Sequence, residues 1–230
     1  MCAHRIHTVD AGVFRYNTRY ISQPSSDYFD PAQRLLQAQA VHEGGRNAAW
    51  FIQLNSTAAV LRYYRRGGLL ARLIKRHYVW TGAQRTRSWA EYAVLAHLYK
   101  QGVAVPEPIA AVWQRCAGFS YTAAIIVKRI PQAVPIAQHL ATTSPQSVAV
   151  AIKHMHEAGV WHADLNVFNI LVTPEQQIYL IDFDKAQHLN VVDSKQRQTN
   201  LLRLRRSLIK VRGTIGLQWY QQLYSAYQSL

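Results

Sequence analysis

The stretch GVWHADLNVFNILV, followed after a polar turn by IYLIDFDKA, sets His162, Asp164, Asn166, Asn169, Asp182 and Asp184 beside two short apolar runs. Polar side chains next to segments bound for a core cost free energy unless something pairs or binds them. The runs NILV and IYLI flank TPEQQ and read as strand, turn, strand. The pattern from His162 to Asn169 is H-x-D-x-x-x-x-N, and Asp182 lies thirteen residues past Asn169. Two carboxylates and an amide are thereby placed on strands that can hold them close together.

Composition bounds what surrounds this constellation. At 230 residues and 49% apolar content, the chain is expected to form one domain, or one domain with two lobes, with ample core. Cys2 and Cys116 are too few for a disulfide framework, which favours a reducing compartment. No run of 18 apolar residues is present, so no transmembrane helix is expected. The start MCAHRIHTVDAG lacks the apolar stretch of a secretory signal, and a cytoplasmic protein is expected.

Net charge is +14, an imbalance that draws polyanions or an anionic membrane surface. It is uneven. Between Glu43 and Glu91 no acid occurs, while Arg46, Arg62, Arg65, Arg66, Arg72, Lys75, Arg76, Arg85 and Arg87 all fall there. TNLLRLRRSLIKVRG is a second acid-free basic run.

Strand signals dominate the first half. AAWFIQLN and TAAVLRYYR, joined at Asn55-Ser56, predict a hairpin preceded by the glycine loop VHEGGRN. FSYTAAIIVKRI reads as a buried strand, and Pro131 and Pro135 mark a linker after it. Helices are predicted at PAQRLLQAQA, at RTRSWAEYAVLAHLYKQG with Gly102 as its stop, and at SPQSVAVAIKHMHEAG ending at Gly159. A basic helix follows over about 198–212. There Leu201, Leu204 and Leu208 share one face, and Arg203, Arg206 and Lys210 another. QWYQQLYSAYQSL predicts a final aromatic helix.

The HxDxxxxN motif with Asp182-Phe183-Asp184 resembles the catalytic loop and metal-binding motif of the protein-kinase-like fold. Phosphoryl transfer needs one carboxylate to accept a hydroxyl proton and further oxygen ligands to hold Mg²⁺ against nucleotide phosphates. The resemblance implies an α+β, two-lobed kinase-like domain over 1–230, with a β-rich N-lobe to about 130 and a reduced helical C-lobe beyond it. It implies Asp164 as the catalytic carboxylate, Asn169 and Asp182 as Mg²⁺ ligands, and a structural role for His162. Arg62 stands where the family motif has lysine, with Lys75 as rival; Glu91 is the natural partner of either cation. Lys128, Arg129 and Ile130 would meet adenine of ATP through their backbone. Asn166 replaces the lysine that protein kinases keep in this loop, DFG reads DFD, and only some 45 residues follow the motif. A small molecule or glycolipid is therefore the expected acceptor, rather than a folded protein.

LRYYRRGGLLARL, RSWAEYAVLAHLYKQGVAVPEPIAA, WHADLNVFNILV, YLIDFDKA and NLLRLRRSLIK together resemble the 3-deoxy-D-manno-octulosonic acid (Kdo) kinase family of lipopolysaccharide-core kinases, over roughly residues 40 to 212. That resemblance implies ATP-dependent phosphorylation of the Kdo 4-hydroxyl on Kdo-lipid IVA, at the cytoplasmic face of the inner membrane. Its basic runs suit an anionic bilayer, where each cation contributes about 1 kcal/mol. The alternatives are a heptose kinase of the same pathway, an aminoglycoside-type phosphotransferase, a pseudokinase scaffold, or a basic nucleic-acid-binding module. Against the last, no helix-turn-helix or zinc pattern appears, and aromatic and basic residues do not alternate as in a stacking platform.

Overall fold

Alternating inward and outward residues build most of the first half, as in β2 (Gly12–Asn17), where Phe14 and Tyr16 turn inward. The computed structural model describes residues 4–9, 12–41, 49–64, 77–116 and 118–230. The chain divides into two compact units. Met1–Ala93 with Glu107–Arg129 form one, and Val94–Pro106 with Ile130–Leu230 form the other.

The first unit is an antiparallel sheet of eight strands among the described residues. Besides β2 it contains β1 (His4–Val9), β3 (Gln39–Ala40), β4 (Ala49–Leu54), β5 (Thr57–Tyr63), β6 (Tyr78–Val79), β7 (Pro108–Cys116) and β8 (Ser120–Lys128). The order is β1-β2-β7-β8-β5-β4-β3, with β6 also on β8. The hairpin predicted at Asn55-Ser56 closes in register, Leu54 opposite Thr57, with Asn55 in the left-handed region at φ 52°. Ala123, Ala124, Ile125 and Ile126 of β8 are all buried, as in a central strand covered on both faces. One face carries Phe14, Ile21, Leu36, Ile52, Leu54, Leu61 and Ile126. Against the other lie Trp89 and Glu91 from the start of α1 (Arg87–Lys100); Trp89 meets Trp113 edge-on.

One expectation fails here. The predicted helix at PAQRLLQAQA is one 3₁₀ turn, Arg34–Leu36, followed by β3. Leu36 is the single buried side chain of that turn, and Gln37 at φ 45° ends it. The β1–β2 hairpin carries no strong sequence signal, because the described side chains of β1 face solvent. The glycine loop VHEGGRN beyond Val41, the RRGG pair and Lys75 lie outside the described residues.

The second unit is built on α3 (Pro145–Glu157) and α4 (Ser194–Ser229). Between β8 and α3 lie β9 (Val134–Pro135) and α2 (Ile136–His139); between α3 and α4 lie β10 (Val160–Trp161), β11 (Ile170–Val172), β12 (Ile178–Leu180) and β13 (Gln187–His188). The predicted strand–turn–strand at NILV and IYLI is the β11–β12 hairpin. Ser144 caps α3 by accepting from the Ser147 N–H, and Asp193 and Gln196 close a reciprocal capping box on α4. Leu201, Leu204 and Leu208 are buried as the periodicity requires, each removal from water contributing about 1.5–3 kcal/mol.

A break at Gly213 divides α4 between its basic and aromatic halves. Gly213 has φ 55° and ψ −130°, backbone that a side chain resists. A Cβ at Gly216 would fall 2.3 Å from the Leu208 carbonyl oxygen, so the second half passes tightly over the end of the first. His156 shows that the helix reverses. Its Nδ1 meets the Tyr227 hydroxyl at 2.8 Å and its Nε2 meets Asn200 Oδ1 at 3.0 Å. A straight helix would hold residues 200 and 227 about 40 Å apart.

Candidate active site

In the first unit, pairing register decides which side chains meet. Leu61 of β5 faces the core described above, so Arg62 projects from the opposite face, where Ile125 is its neighbour across the strands. There its guanidinium donates to Glu91, and the second carboxylate oxygen of Glu91 accepts from the Tyr64 hydroxyl. Glu91 is buried, which excludes a solvated helix glutamate. Arg87 lies over the Tyr78 ring at 4.8 Å and donates to the Tyr78 hydroxyl, so this arginine too belongs to the fold rather than to a purely solvated basic face. The backbone N–H of Lys128 donates to the Glu107 carbonyl and that of Arg129 to the Ala58 carbonyl. Of the three residues expected to meet adenine, Lys128 and Arg129 therefore have only carbonyls to offer, and Ile130 also an N–H.

In the second unit the loop after β10 carries the motif. His162 is fully buried. Its Nδ1 accepts from the Asp164 N–H at 3.0 Å, and its Nε2 donates to the Ile181 carbonyl at 3.0 Å. These bonds fix the neutral tautomer with the proton on Nε2. Burial drives the pKa of His162 down, against the raising effects of the Ile181 bond and of Asp182 and Asp164. Phe183, also fully buried, packs its ring 4.8 Å from that of His162. One imidazole thus ties the catalytic-loop motif to the DFD motif.

Hydrogen bonds tie Asn169 to Asp164 and to the residue that precedes Asp182. Asn169 Nδ2 donates to the Asp164 carbonyl at 2.9 Å, and the Ile181 N–H, immediately before Asp182, donates to the Asn169 carbonyl at 3.0 Å. Asp182 adopts φ 62°. A non-glycine residue held there at a cost of about 1–3 kcal/mol marks a site that needs its side chain in one place. The Asp164 carboxylate is half exposed.

Asn169 and Asp182 fit Mg²⁺ by chemistry. With its Nδ2 committed to Asp164, Asn169 keeps Oδ1 as a neutral oxygen donor, and Asp182 brings a carboxylate. No cluster of three His, Cys, Asp or Glu side chains occurs among the described residues. A donor set of one or two protein oxygens, completed by phosphate and water, is how Mg²⁺ is held in nucleotide sites, whereas an all-protein cage is not.

Three contacts escaped the sequence reading, and all come from α4. Asn200 Oδ1 accepts from the His162 N–H, and its Nδ2 donates back to the His162 carbonyl. Arg203 Nη1 donates to Asp164 Oδ1 at 2.8 Å. Ser207 Oγ accepts from the Val167 N–H at 3.2 Å. Positions 200, 203 and 207 follow the i, i+3, i+7 spacing of one helix face, a signal present in the sequence but overshadowed by the leucine stripe.

The profile of the lipopolysaccharide kinase (Kdo/WaaP) family matches residues 32–227. The chain belongs to that family. The match runs further at both ends than the 40–212 stretch that carried the resemblance. The chain is 39% identical over 206 residues to a 3-deoxy-D-manno-octulosonic acid kinase of Xylella fastidiosa, covering 88% of this chain and 82% of that one. It is 38% identical to a protein of the same description from Vibrio vulnificus, covering 93% and 94%. A solved structure of WaaP in complex with acyl carrier protein shares the fold, at TM-score 0.56 and 15% identity over 89% of this chain and 86% of that one. The α+β kinase-like fold and the kinase activity read from the motifs are those of the family.

A pH dependence follows from the histidines beneath this loop. Burial lowers the His156 pKa to about 4, and an unfolded histidine titrates near 6.5. Between those values the unfolded chain binds a proton that the folded chain refuses, so stability rises with pH there. It is complete above about 6.5 and falls as pH drops toward 4, by about 3 kcal/mol in all. The lowered pKa of His162 acts in the same direction. Urea midpoints measured from pH 7.5 to 4.5 should hold to about pH 6.5 and fall below it; a flat profile contradicts the assignment.

Proposed function

We propose that this chain uses ATP to phosphorylate the 4-hydroxyl of Kdo in Kdo-lipid IVA during lipopolysaccharide core assembly. The observation that carries the reading is the Asp164 carboxylate. It is half exposed, on a loop whose backbone is fixed by His162, Asn166, Asn169 and α4. In the step, the sugar hydroxyl oxygen bonds to the γ-phosphorus of ATP. The bond from that phosphorus to the bridging oxygen breaks, ADP leaves with the electron pair, and the hydroxyl proton passes to Asp164.

Asn169 and Asp182 hold Mg²⁺ in this reading, and the ion when bound supplies charge neutralisation to the nucleotide phosphates. Arg62, braced by Glu91, steadies the phosphates, and it can do so through two parallel hydrogen bonds. Lys75 remains the rival cation from the sequence. Adenine is met by the carbonyls of Lys128 and Arg129 and by Ile130. Asn169→Ala should raise the Mg²⁺ concentration for half-maximal activity by about 10–100-fold, since even outer contacts to a metal cost that much. Titrating Mg²⁺ at saturating ATP checks it.

The test of function is mass spectrometry of product after incubation with ATP, Mg²⁺ and Kdo-lipid IVA. One added phosphate on the Kdo residue is expected, with its position fixed by phosphorus–proton correlation in NMR. Phosphate gained only by a heptose-bearing acceptor would move the chain to the heptose kinases.

We place the protein on the cytoplasmic face of the inner membrane. Among the described residues no helix is long and apolar enough to cross a bilayer. Arg206, Lys210 and Val211 are exposed on the basic half of α4, before its break at Gly213. Such a face suits an anionic surface, and its attraction weakens with salt. The protein should pellet with inner-membrane vesicles at low salt and be released at high salt; failure to pellet at low salt removes this placement.

A further inference from the structure

The loop that carries Asp164 contains no cation of its own. Asn166, at the place of the protein-kinase lysine, spends its side chain on the loop. Its Nδ2 donates to the Asp164 carbonyl at 3.0 Å and its Oδ1 accepts from the Phe168 N–H at 2.9 Å. The positive charge at the Asp164 carboxylate comes instead from Arg203, on α4. That arginine is held in place by its own helix. Asn200, one turn before it, grips the His162 backbone, and Ser207, one turn after it, grips Val167. Its side chain is 44% exposed, and one of its nitrogens is engaged with Asp164 Oδ1. A guanidinium has five N–H donors in a planar fork, so most of its capacity is left over and open to solvent.

We infer that Arg203 is the acceptor-recognising residue: it binds the carboxylate of the sugar acid while holding Asp164 toward the hydroxyl to be phosphorylated. The inference rests on the acceptor proposed above. In a Kdo pyranose the carboxylate is borne on C2 and the hydroxyl on C4 of the same ring, so the two lie within a few ångströms of each other. A cation that already holds the carboxylate serving the hydroxyl is within reach of the acid group. The planar fork matches a carboxylate bidentately, which a lysine does not. A neutral sugar would leave this guanidinium half-used, and the site would discriminate against it. The other anion that could take the open donors is the γ-phosphate of the nucleotide, and the experiment separates the two.

Initial rates are measured for the wild type, Arg203→Gln and Arg203→Lys, on Kdo-lipid IVA and on the same glycolipid with the Kdo carboxyl converted to its methyl ester. Melting curves verify folding, which the exposure of Arg203 leaves intact. Arg203→Gln should raise the acceptor KM by about 10–100-fold, the range for losing a charged hydrogen-bond pair, with the ATP KM unchanged. On the ester, wild type and Arg203→Gln should have the same acceptor KM, and Arg203→Lys should recover part of the loss on the free acid. The ester arm with wild-type protein reports the value of the carboxylate without any substitution. An equal loss on both acceptors, a raised ATP KM with the acceptor KM unchanged, or no loss at all overturns the inference. If the wild type phosphorylates neither glycolipid, the proposed function itself fails and the inference falls with it.

Discussion

Asp164→Asn should lower kcat by about 10²–10⁴-fold, the usual contribution of a positioned general base, and leave the fold unchanged. The contacts show why the two effects separate. The residue's structural bonds are made by its main chain: the N–H to His162 Nδ1, and the carbonyl from Asn166 Nδ2 and Asn169 Nδ2. An asparagine leaves all of these in place. The one side-chain hydrogen bond among the described residues, from Arg203 to Oδ1, is retained by an amide oxygen. The carboxylate is 57% exposed, so no buried charge is lost. Exposed substitutions of this kind shift stability by at most about 0.5 kcal/mol, a change in Tm of about 2 °C or less. What asparagine cannot do is take a proton from a sugar hydroxyl. Phosphoryl transfer to the glycolipid within threefold of the wild-type rate would remove Asp164 from the role of base and reopen the choice of catalytic carboxylate.

How much of this was readable in advance depended on whether the interaction was local in the chain. His162, Asp164 and Asn169 sit in one loop, and their bonds to one another span two to five residues. A spacing pattern captures such geometry directly. Arg62 and Glu91 are distant in sequence, yet a strand cation opposite a helix acid follows from the kinase-like order of elements, and the structure joins them. The β1–β2 hairpin was hidden for a different reason. HRIHTV lacks the alternation that marks a half-buried strand, and the other partner of β2 is β7, almost a hundred residues further along the chain. The role of α4 was hidden by a stronger pattern on the same helix. Its leucines and arginines suggest an apolar face and a solvated basic face, and the buried face is real. But Asn200, Arg203 and Ser207 form a third stripe, whose purpose appears only when the loop from His162 to Val167 lies against it. The reversal at Gly213 could not be read either. A glycine after a basic run signals a stop, whereas the close approach of Gly216 to the Leu208 carbonyl is a tertiary fact.

Asn200→Ala should destabilise the second unit strongly, costing about 3–9 kcal/mol. The side chain is completely buried and serves two clients at once. Toward the loop that carries Asp164 it brackets the backbone of His162, accepting from the N–H at 3.1 Å and donating to the carbonyl. Toward α3 it meets His156 Nε2 at 3.0 Å. Alanine leaves two buried donors and one buried acceptor without partners, each costing about 1–3 kcal/mol. The total stability of a domain is only about 5–15 kcal/mol, and Tm should fall by about 10 °C or more. Tyr227→Phe is the graded comparison. It removes one hydroxyl from the other side of the same imidazole, and a loss nearer 1–3 kcal/mol is expected. Thermal melts and urea titrations of both variants decide the ranking. If Asn200→Ala melts within about 2 °C of wild type, then α4 does not anchor the loop of Asp164 through this residue, and the support of that loop must come from its other bonds.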